Sequence, residues 1–108
     1  MCIRDRFRGI LSTIYVDLNK GVSINKLENT FRSQYSKNRF VKILKTNSLL
    51  STNDIINTNN CSIVICKTKY KNSVIILSVI DNLIKGGAGQ AIQNMNIKYG
   101  FNETKGLI

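Results

Sequence analysis

The residues best placed to do chemistry lie between Asp81 and Asn96, in the stretch DNLIKGGAGQAIQNMN. Gly86, Gly87 and Gly89 interrupt a segment that otherwise has the spacing of an amphipathic helix. A glycine inside a helix costs roughly 0.8–1 kcal/mol relative to alanine. Such a cost is carried where a side chain would collide with a close neighbour, either a ligand or adjoining backbone. The neutral amides Gln90, Gln93, Asn94 and Asn96 follow. They donate and accept hydrogen bonds without charge, which suits recognition of a carboxamide or a ribose. Close packing of a helix on a sheet accounts for the same glycines equally well.

Other reactive groups are few. The chain has no histidine and no proline, and Cys2, Cys61 and Cys66 lack metal-ligand spacing. No metal site and no catalytic residue is expected within these residues. Cys61 and Cys66 fall in a strand-like stretch, where free cysteine behaves as a small hydrophobe in a reducing cytosol. The net charge of +10 raises a nucleic-acid reading. The basic residues are scattered, however, with only mild concentrations at Arg32–Lys45 and Lys67–Lys71. Aromatic residues do not interleave with them at a stacking period, which argues against a single-strand platform. Abundant Asn, Lys and Ile also match the codon bias of an AT-rich genome. A small basic α+β nucleic-acid-binding module is the second reading, and a structural domain that binds another subunit through its sheet is a third.

The elements that must position the glycine segment follow from periodicity. Ile10 to Leu18 alternates, with Ile14, Val16 and Leu18 on one face, and predicts a half-buried strand. Ser23 is a helix cap for Ile24, Leu27, Phe31 and Tyr35, which recur at helical spacing to about Ser36. Phe40 to Leu44 predicts a short strand, and a polar loop with a turn or a strand edge at Asp54-Ile55-Ile56 runs through Asn60. Cys61 to Lys69 and Val74 to Ile80 predict two strands joined by a turn at Lys71-Asn72. The second is apolar enough to be covered on both faces. Asn82 to Tyr99 predicts the closing helix, with Ile84, Ala88, Ala91, Ile92 and Met95 facing inward. The expected order is β-α-β-β-β-α, an α+β fold with a largely antiparallel sheet and helices on one face. One domain fits in 108 residues, of which 43% are hydrophobic. No apolar run reaches the roughly 18 residues of a membrane span, and Met1 to Arg8 has no apolar signal segment.

The wording of the glycine segment carries a resemblance. Asp81-Asn82-Leu83, Lys85-Gly86, Gly89-Gln90-Ala91 and Gln93-Asn94-Met95-Asn96 resemble the last helix of the N-acetyl-gamma-glutamyl-phosphate reductases, NADP-dependent enzymes of arginine biosynthesis. Tyr99-Gly100-Phe101 and Glu103 to Leu107 look like that family's carboxyl end. Arg8 to Tyr15 looks like the strand after its His-Leu-x-Pro-Met segment. Ser51 to Ile55 and Thr58-Asn59 look like its Pro-Ser-Thr-Lys-Asp-Val-Arg-Gly-Thr-Asn stretch, with Ile56 and Asn57 standing where Arg-Gly is usual. The resemblance runs from about Arg8 onward. The family's glycine-rich dinucleotide turn, its Asn-Pro-Gly-Cys-Tyr-Pro-Thr nucleophile motif and its histidine have no counterpart here. Residues 8–108 are therefore expected to be a C-terminal substrate and oligomerisation domain fragment, of the glyceraldehyde-phosphate-dehydrogenase-like C-terminal fold. Residues 1–7 are expected to be a non-native lead-in, since MCIRDR resembles a translated sequencing adapter.

By resemblance the whole enzyme takes an acyl-phosphate substrate, N-acetyl-gamma-glutamyl phosphate, and uses NADP. A cysteine thiolate attacks the acyl phosphate, and hydride then reduces the thioester to the semialdehyde with release of phosphate. The nucleophile lies outside this chain, which is expected to be inactive alone. Gln90 is expected to touch the nicotinamide carboxamide, against the alternative of a surface glutamine bonded to water. Gly86, Gly87 and Gly89 let the helix start approach the cofactor. Lys85 is placed to pair with a cofactor phosphate, against the alternative of a solvated lysine. Arg8, whose guanidinium fork binds carboxylate or phosphate, is the substrate-binding residue, with a surface ion pair as alternative. Arg39 and Asp54 are expected to be surface charges. A missing N-terminal dinucleotide-binding domain and a second subunit met through the sheet are the implied partners, in the cytoplasm.

Overall fold

A computed structural model describes residues 9–70 and 72–107. The expectations placed on Arg8, on residues 1–7 and on Lys71 lie outside the described residues. The chain folds as strand β1 (Ile10–Asp17), helix α1 (Ile24–Tyr35), strand β2 (Val41–Ile43), a 3-10 turn at Thr52–Asp54, strand β3 (Cys61–Lys67), strand β4 (Ser73–Ile80), a π-helical turn at Ile84–Ala88 and helix α2 (Gly89–Lys98). This is the order that the hydrophobic periodicity predicts.

The four strands form one sheet in the order β1-β4-β3-β2. β1 pairs with β4 and β3 with β4, both antiparallel, from Ile10 opposite Ile80 and Cys61 opposite Ile80. β2 runs parallel to β3, Val41 opposite Cys61, so the sheet is mixed at that edge. Strand alternation reports which face a residue takes and not which way the strand runs. Only β3 and β4 form a hairpin. Residues 44–60 return the chain to the same end of the sheet, as a parallel connection requires. Leu44 N and Asn47 N still donate to Ile63 O and Ile65 O, at 2.9 Å each, so the β2 edge stays paired beyond its formal end.

The core sits on the middle strands. Val64 and Val79 are buried on one face and Ile65 and Val74 on the other, joined by Ile55 from the long loop and Phe40 before β2. These strands are covered on both sides, and their valine and isoleucine content suits that position. β1 is different. It is hydrogen-bonded along its whole length to β4, yet Ile10 and Ile14 remain 47% and 46% exposed. Residues four apart in a strand share a face. That half of the sheet is an open apolar surface, and the molecule is a slab 43 × 39 × 18 Å.

α1 begins where Ser23 accepts a hydrogen bond from Lys26 N at 3.1 Å, the N-cap that the sequence predicts. It packs on β2 and β3, with no residue of its own fully buried. Glu28 anchors it to the loop after β2 by accepting from Thr46 N at 3.1 Å. Arg32 closes an exposed ion pair with the same carboxylate at 3.3 Å, of a kind worth about 0.3–0.5 kcal/mol.

α2 differs from expectation in the face it buries. Ala88, Ala91 and Met95 are exposed and Ile84 and Ile92 only half-buried, whereas Gly89, Gln93 and Asn96 are buried. The helix expected from Asn82 to Tyr99 is broken by the π-helical turn with its kink at Gly87, α2 starts only at Gly89, and the inward stripe is polar. Both polar atoms of the Gln93 amide and the nitrogen of Asn96 make their hydrogen bonds inside the protein, whereas Asn96 Oδ1 is buried without a partner among the described residues.

Candidate functional site

The glycine segment starts from Asp81, at the end of β4. Asp81 is fully buried, and its carboxylate accepts from Asn57 N at 2.7 Å and Leu83 N at 2.9 Å. Its carbonyl accepts from Ile84 N and Gly86 N at 3.2 and 3.1 Å. Asn82 Oδ1 receives Gly9 N at 2.7 Å, which ties the turn to the chain just before β1. The turn is thus held at the end of the sheet from both sides. Gly86 N to Asp81 O and Gly89 N to Ile84 O each span five residues. That wide turn marks a π-bulge, a feature frequent at functional sites. Gly87 adopts non-helical angles, φ −148° and ψ −116°, so the helix is kinked there.

The three glycines have separate reasons. A Cβ on Gly89 would stand 2.5 Å from Ile84 O and 2.7 Å from Ile84 Cγ2, and nearer still to Asn59 Oδ1. Gly89 is therefore explained by packing against the protein itself. Gly86 and Gly87 are exposed; added Cβ atoms would meet Ile80 Cδ1 at 3.2 Å and Asn82 O at 3.3 Å. With exposed Ala88 they present a smooth backbone surface to the outside.

Gln90 is half-buried, and its Nε2 donates to Asn94 Oδ1 at 2.8 Å along the helix surface. Lys85 is half-buried. Its Nζ donates to Gln93 Oε1 at 2.6 Å and stands 5.6 Å from the centre of the Phe40 ring. Burial pushes the Lys85 pKa below the usual lysine value of 10.5; the negative charges that Cys61 and Glu103 carry when ionised oppose that shift.

Around Lys85 the structure assembles residues whose roles the sequence did not reveal. Gln93, 7% exposed, also accepts from Asn59 Nδ2 at 2.9 Å and donates through Nε2 to Glu103 Oε2 at 2.7 Å. Asn96 Nδ2 donates to Glu103 O and Lys105 O, at 3.0 Å each. The only sequence signal was the spacing Gly89, Gln93, Asn96, a helical stripe of small and amide residues. Asn59 lies 34 residues from Gln93 along the chain, and Glu103 follows ten residues after it, beyond the end of α2.

Cys61 and Cys66 are both half-buried free thiols, and Cys61 Sγ lies 3.4 Å from Ser78 Oγ. Among the described residues no group of three or more His, Cys, Asp or Glu side chains could hold a metal ion. No helix among them is long and apolar enough to cross a membrane. One surface groove is lined by Lys20, Gly21, Ser23, Lys67 and Asn72, another by Tyr15, Thr68, Tyr70 and Ile75.

Residues 3–82 match the family described as semialdehyde dehydrogenase, dimerisation domain. The chain belongs to that family. Its match covers all four strands and α1 and stops at the start of the glycine turn. The turn and α2 fall within longer matches to curated relatives. The chain is 50% identical over 100 residues to the N-acetyl-gamma-glutamyl-phosphate reductase of Vesicomyosocius okutanii, covering 93% of this chain and 28% of that protein. It is 46% identical over 101 residues to the enzyme of the same name from Staphylococcus epidermidis, covering 94% of this chain and 29% of the relative. The reductase of Thermoanaerobacter pseudethanolicus is 42% identical over 100 residues, again 93% and 29%. The chain thus spans under a third of the length of the relatives it matches.

Proposed function

We propose that this chain forms the C-terminal part of an NADP-dependent reductase that converts N-acetyl-gamma-glutamyl phosphate to the semialdehyde and phosphate, as part of arginine biosynthesis in the cytoplasm. The observation that carries the reading is the pairing of high identity to reductases of that name with an exposed, kinked glycine turn. Gly86, Gly87 and Ala88 leave backbone uncovered where a flat ring could lie. This fits the cofactor as one wall of a site whose other walls come from a dinucleotide-binding domain. NADPH, when bound, supplies a hydride.

The residues here bind and orient. Gln90 stands one helical position past Gly89, and its amide, now shared with Asn94, is free to exchange that partner for a carboxamide. Lys85 is held by Gln93 and Phe40, so its charge reaches a cofactor phosphate only if that contact opens. Arg8 remains the residue proposed for the substrate's anionic group. The exposed stripe of Ala88, Ala91 and Met95 on α2 offers an apolar surface to a dinucleotide-binding domain. Ile10 and Ile14, on the open half of the sheet, offer one to a second subunit.

A chimera tests the reading. The last 29% of the Staphylococcus epidermidis reductase is replaced by this chain, and NADPH-dependent acyl-phosphate reduction is measured. Turnover by the chimera and none by the chain alone is the expected result. A folded, oligomeric chimera that binds no NADPH overturns the cofactor wall. Self-association through the sheet is read by sedimentation of the chain, and Ile14→Lys is expected to weaken it.

A further inference from the structure

We infer that Gln93 and Glu103 are positioning residues for the glycine turn: one amide holds Lys85 with its oxygen and the C-terminal segment with its nitrogen, so that segment fixes where Gly86 and Gly87 stand. The inference gains its functional meaning from the proposed cofactor wall, but its geometry belongs to this chain alone.

A glutamine amide offers two lone pairs and two N–H groups. Gln93 Oε1 uses both lone pairs, on Lys85 Nζ at 2.6 Å and Asn59 Nδ2 at 2.9 Å, and Nε2 gives a hydrogen to Glu103 Oε2 at 2.7 Å. Four stretches of chain meet on one side chain: the loop before β3, the glycine turn, α2 and the C-terminal segment. The bonds at the two ends are charge-assisted, ammonium to amide oxygen and amide N–H to carboxylate. Each polarises the amide in the same sense and so strengthens the other. A cation and an anion are thereby coupled through a neutral group between them, and Glu103 acts on Lys85 through that link as well as through space. Asn96 adds a second clamp on the same segment by donating to Glu103 O and Lys105 O. Lys85 immediately precedes Gly86, so whatever anchors its side chain on Phe40 also sets the start of the exposed glycine surface.

The test uses the whole chain, with backbone amide hydrogen exchange and the titration of Lys85 followed by NMR. Gln93→Met removes every bond of the amide at nearly constant volume. Exchange at residues 84–89 and 102–107 is expected to rise about tenfold, while β3 and β4 amides stay within about twofold. A merely packed residue would loosen the strands equally, and that uniform result overturns the inference. Gln93→Glu keeps the acceptor for Lys85 and loses the donor to Glu103. It is expected to raise the Lys85 pKa and speed exchange only at 102–107. Glu103→Gln keeps an acceptor for Nε2 but removes the charge, so tail protection is kept and the Lys85 pKa falls further. Should Gln93→Met fail to fold, the opposite movements of Lys85 in the other two variants carry the test, and movement in one direction in both refutes it. A folded chimera that binds no NADPH would remove the cofactor wall and leave these results standing, so the two failures are distinguishable.

Discussion

Gly89→Ala is the sharpest perturbation the structure offers, because opposing effects of known size meet at one atom. Alanine gains about 0.8–1 kcal/mol over glycine by helix propensity. Against that, the new methyl would lie 2.5 Å from Ile84 O and 2.7 Å from Ile84 Cγ2. A carbonyl in the wide turn is not the end of a flexible side chain, so α2 itself must shift. Overpacking of this kind costs roughly 1–3 kcal/mol. The methyl would also press on Asn59 Oδ1, and displacement of Asn59 breaks its buried hydrogen bond to Gln93, a further loss of about 1 kcal/mol. The net expectation is destabilisation by about 1–3 kcal/mol, or roughly 4–20 °C in Tm for a domain of this size. The assay is thermal unfolding followed by circular dichroism, with Gly86→Ala as comparison. A Cβ on Gly86 meets only the tip of Ile80 at 3.2 Å, so that variant should be neutral or more stable by up to about 1 kcal/mol. A Gly89→Ala protein as stable as Gly86→Ala would refute the packing explanation.

Three other outcomes follow from the same geometry. Asn96→Ala strips the carbonyls of Glu103 and Lys105 of their donor and should cost about 1–3 kcal/mol in urea unfolding, with the C-terminal segment becoming sensitive to protease. Ser23→Ala removes the side-chain cap of α1 and should cost about 1 kcal/mol, read as a lower unfolding midpoint. Lys85 titrates lower in the folded chain than its ordinary 10.5. Between those two values the unfolded chain binds more protons, so stability from this group rises with pH there. At neutral pH the burial penalty is present in full. The unfolding midpoint of the wild type relative to Lys85→Met should therefore move in favour of the wild type as pH climbs towards 10.5; an unchanging difference contradicts the assignment.

Much of this fold is legible in the sequence because its elements are periodic. Ser23 with Ile24, Leu27, Phe31 and Tyr35 locates α1, and the alternation from Ile10 and the apolar run from Val74 locate the outer and central strands. The direction of β2 is not legible, since a three-residue strand carries no directional signal and its partner is chosen by the path of the long loop. The buried face of α2 misleads for a different reason. Ala88, Ala91, Ile92 and Met95 have the right spacing for a core stripe, but the loop before β3 and the π-helical turn present Asn59 and Lys85 to Gln93 instead. Helix orientation follows the partner's chemistry, and that partner is assembled from distant segments. The amide cluster is hidden too: Gln93 is conspicuous in the sequence, whereas Asn59, 34 residues away, and Glu103, past the end of α2, become its neighbours only through the fold. Gly86 and Gly87 are legible as anomalies, and the structure separates them from Gly89, whose neighbours are internal.

The pairing of β1 with β4 has a kinetic consequence. These strands touch along their full length, Ile10 opposite Ile80 to Asp17 opposite Ser73, although most of the chain separates them. Closing so large a loop costs entropy before any contact repays it, so β1 should dock late, onto a β3–β4 hairpin that forms from local contacts. On the ribosome β1 would emerge before β3 and β4 and wait for its partner, with isoleucines and an unpaired edge available to other copies. Yield of soluble chain should therefore depend more on expression temperature and concentration than on the strength of the finished sheet.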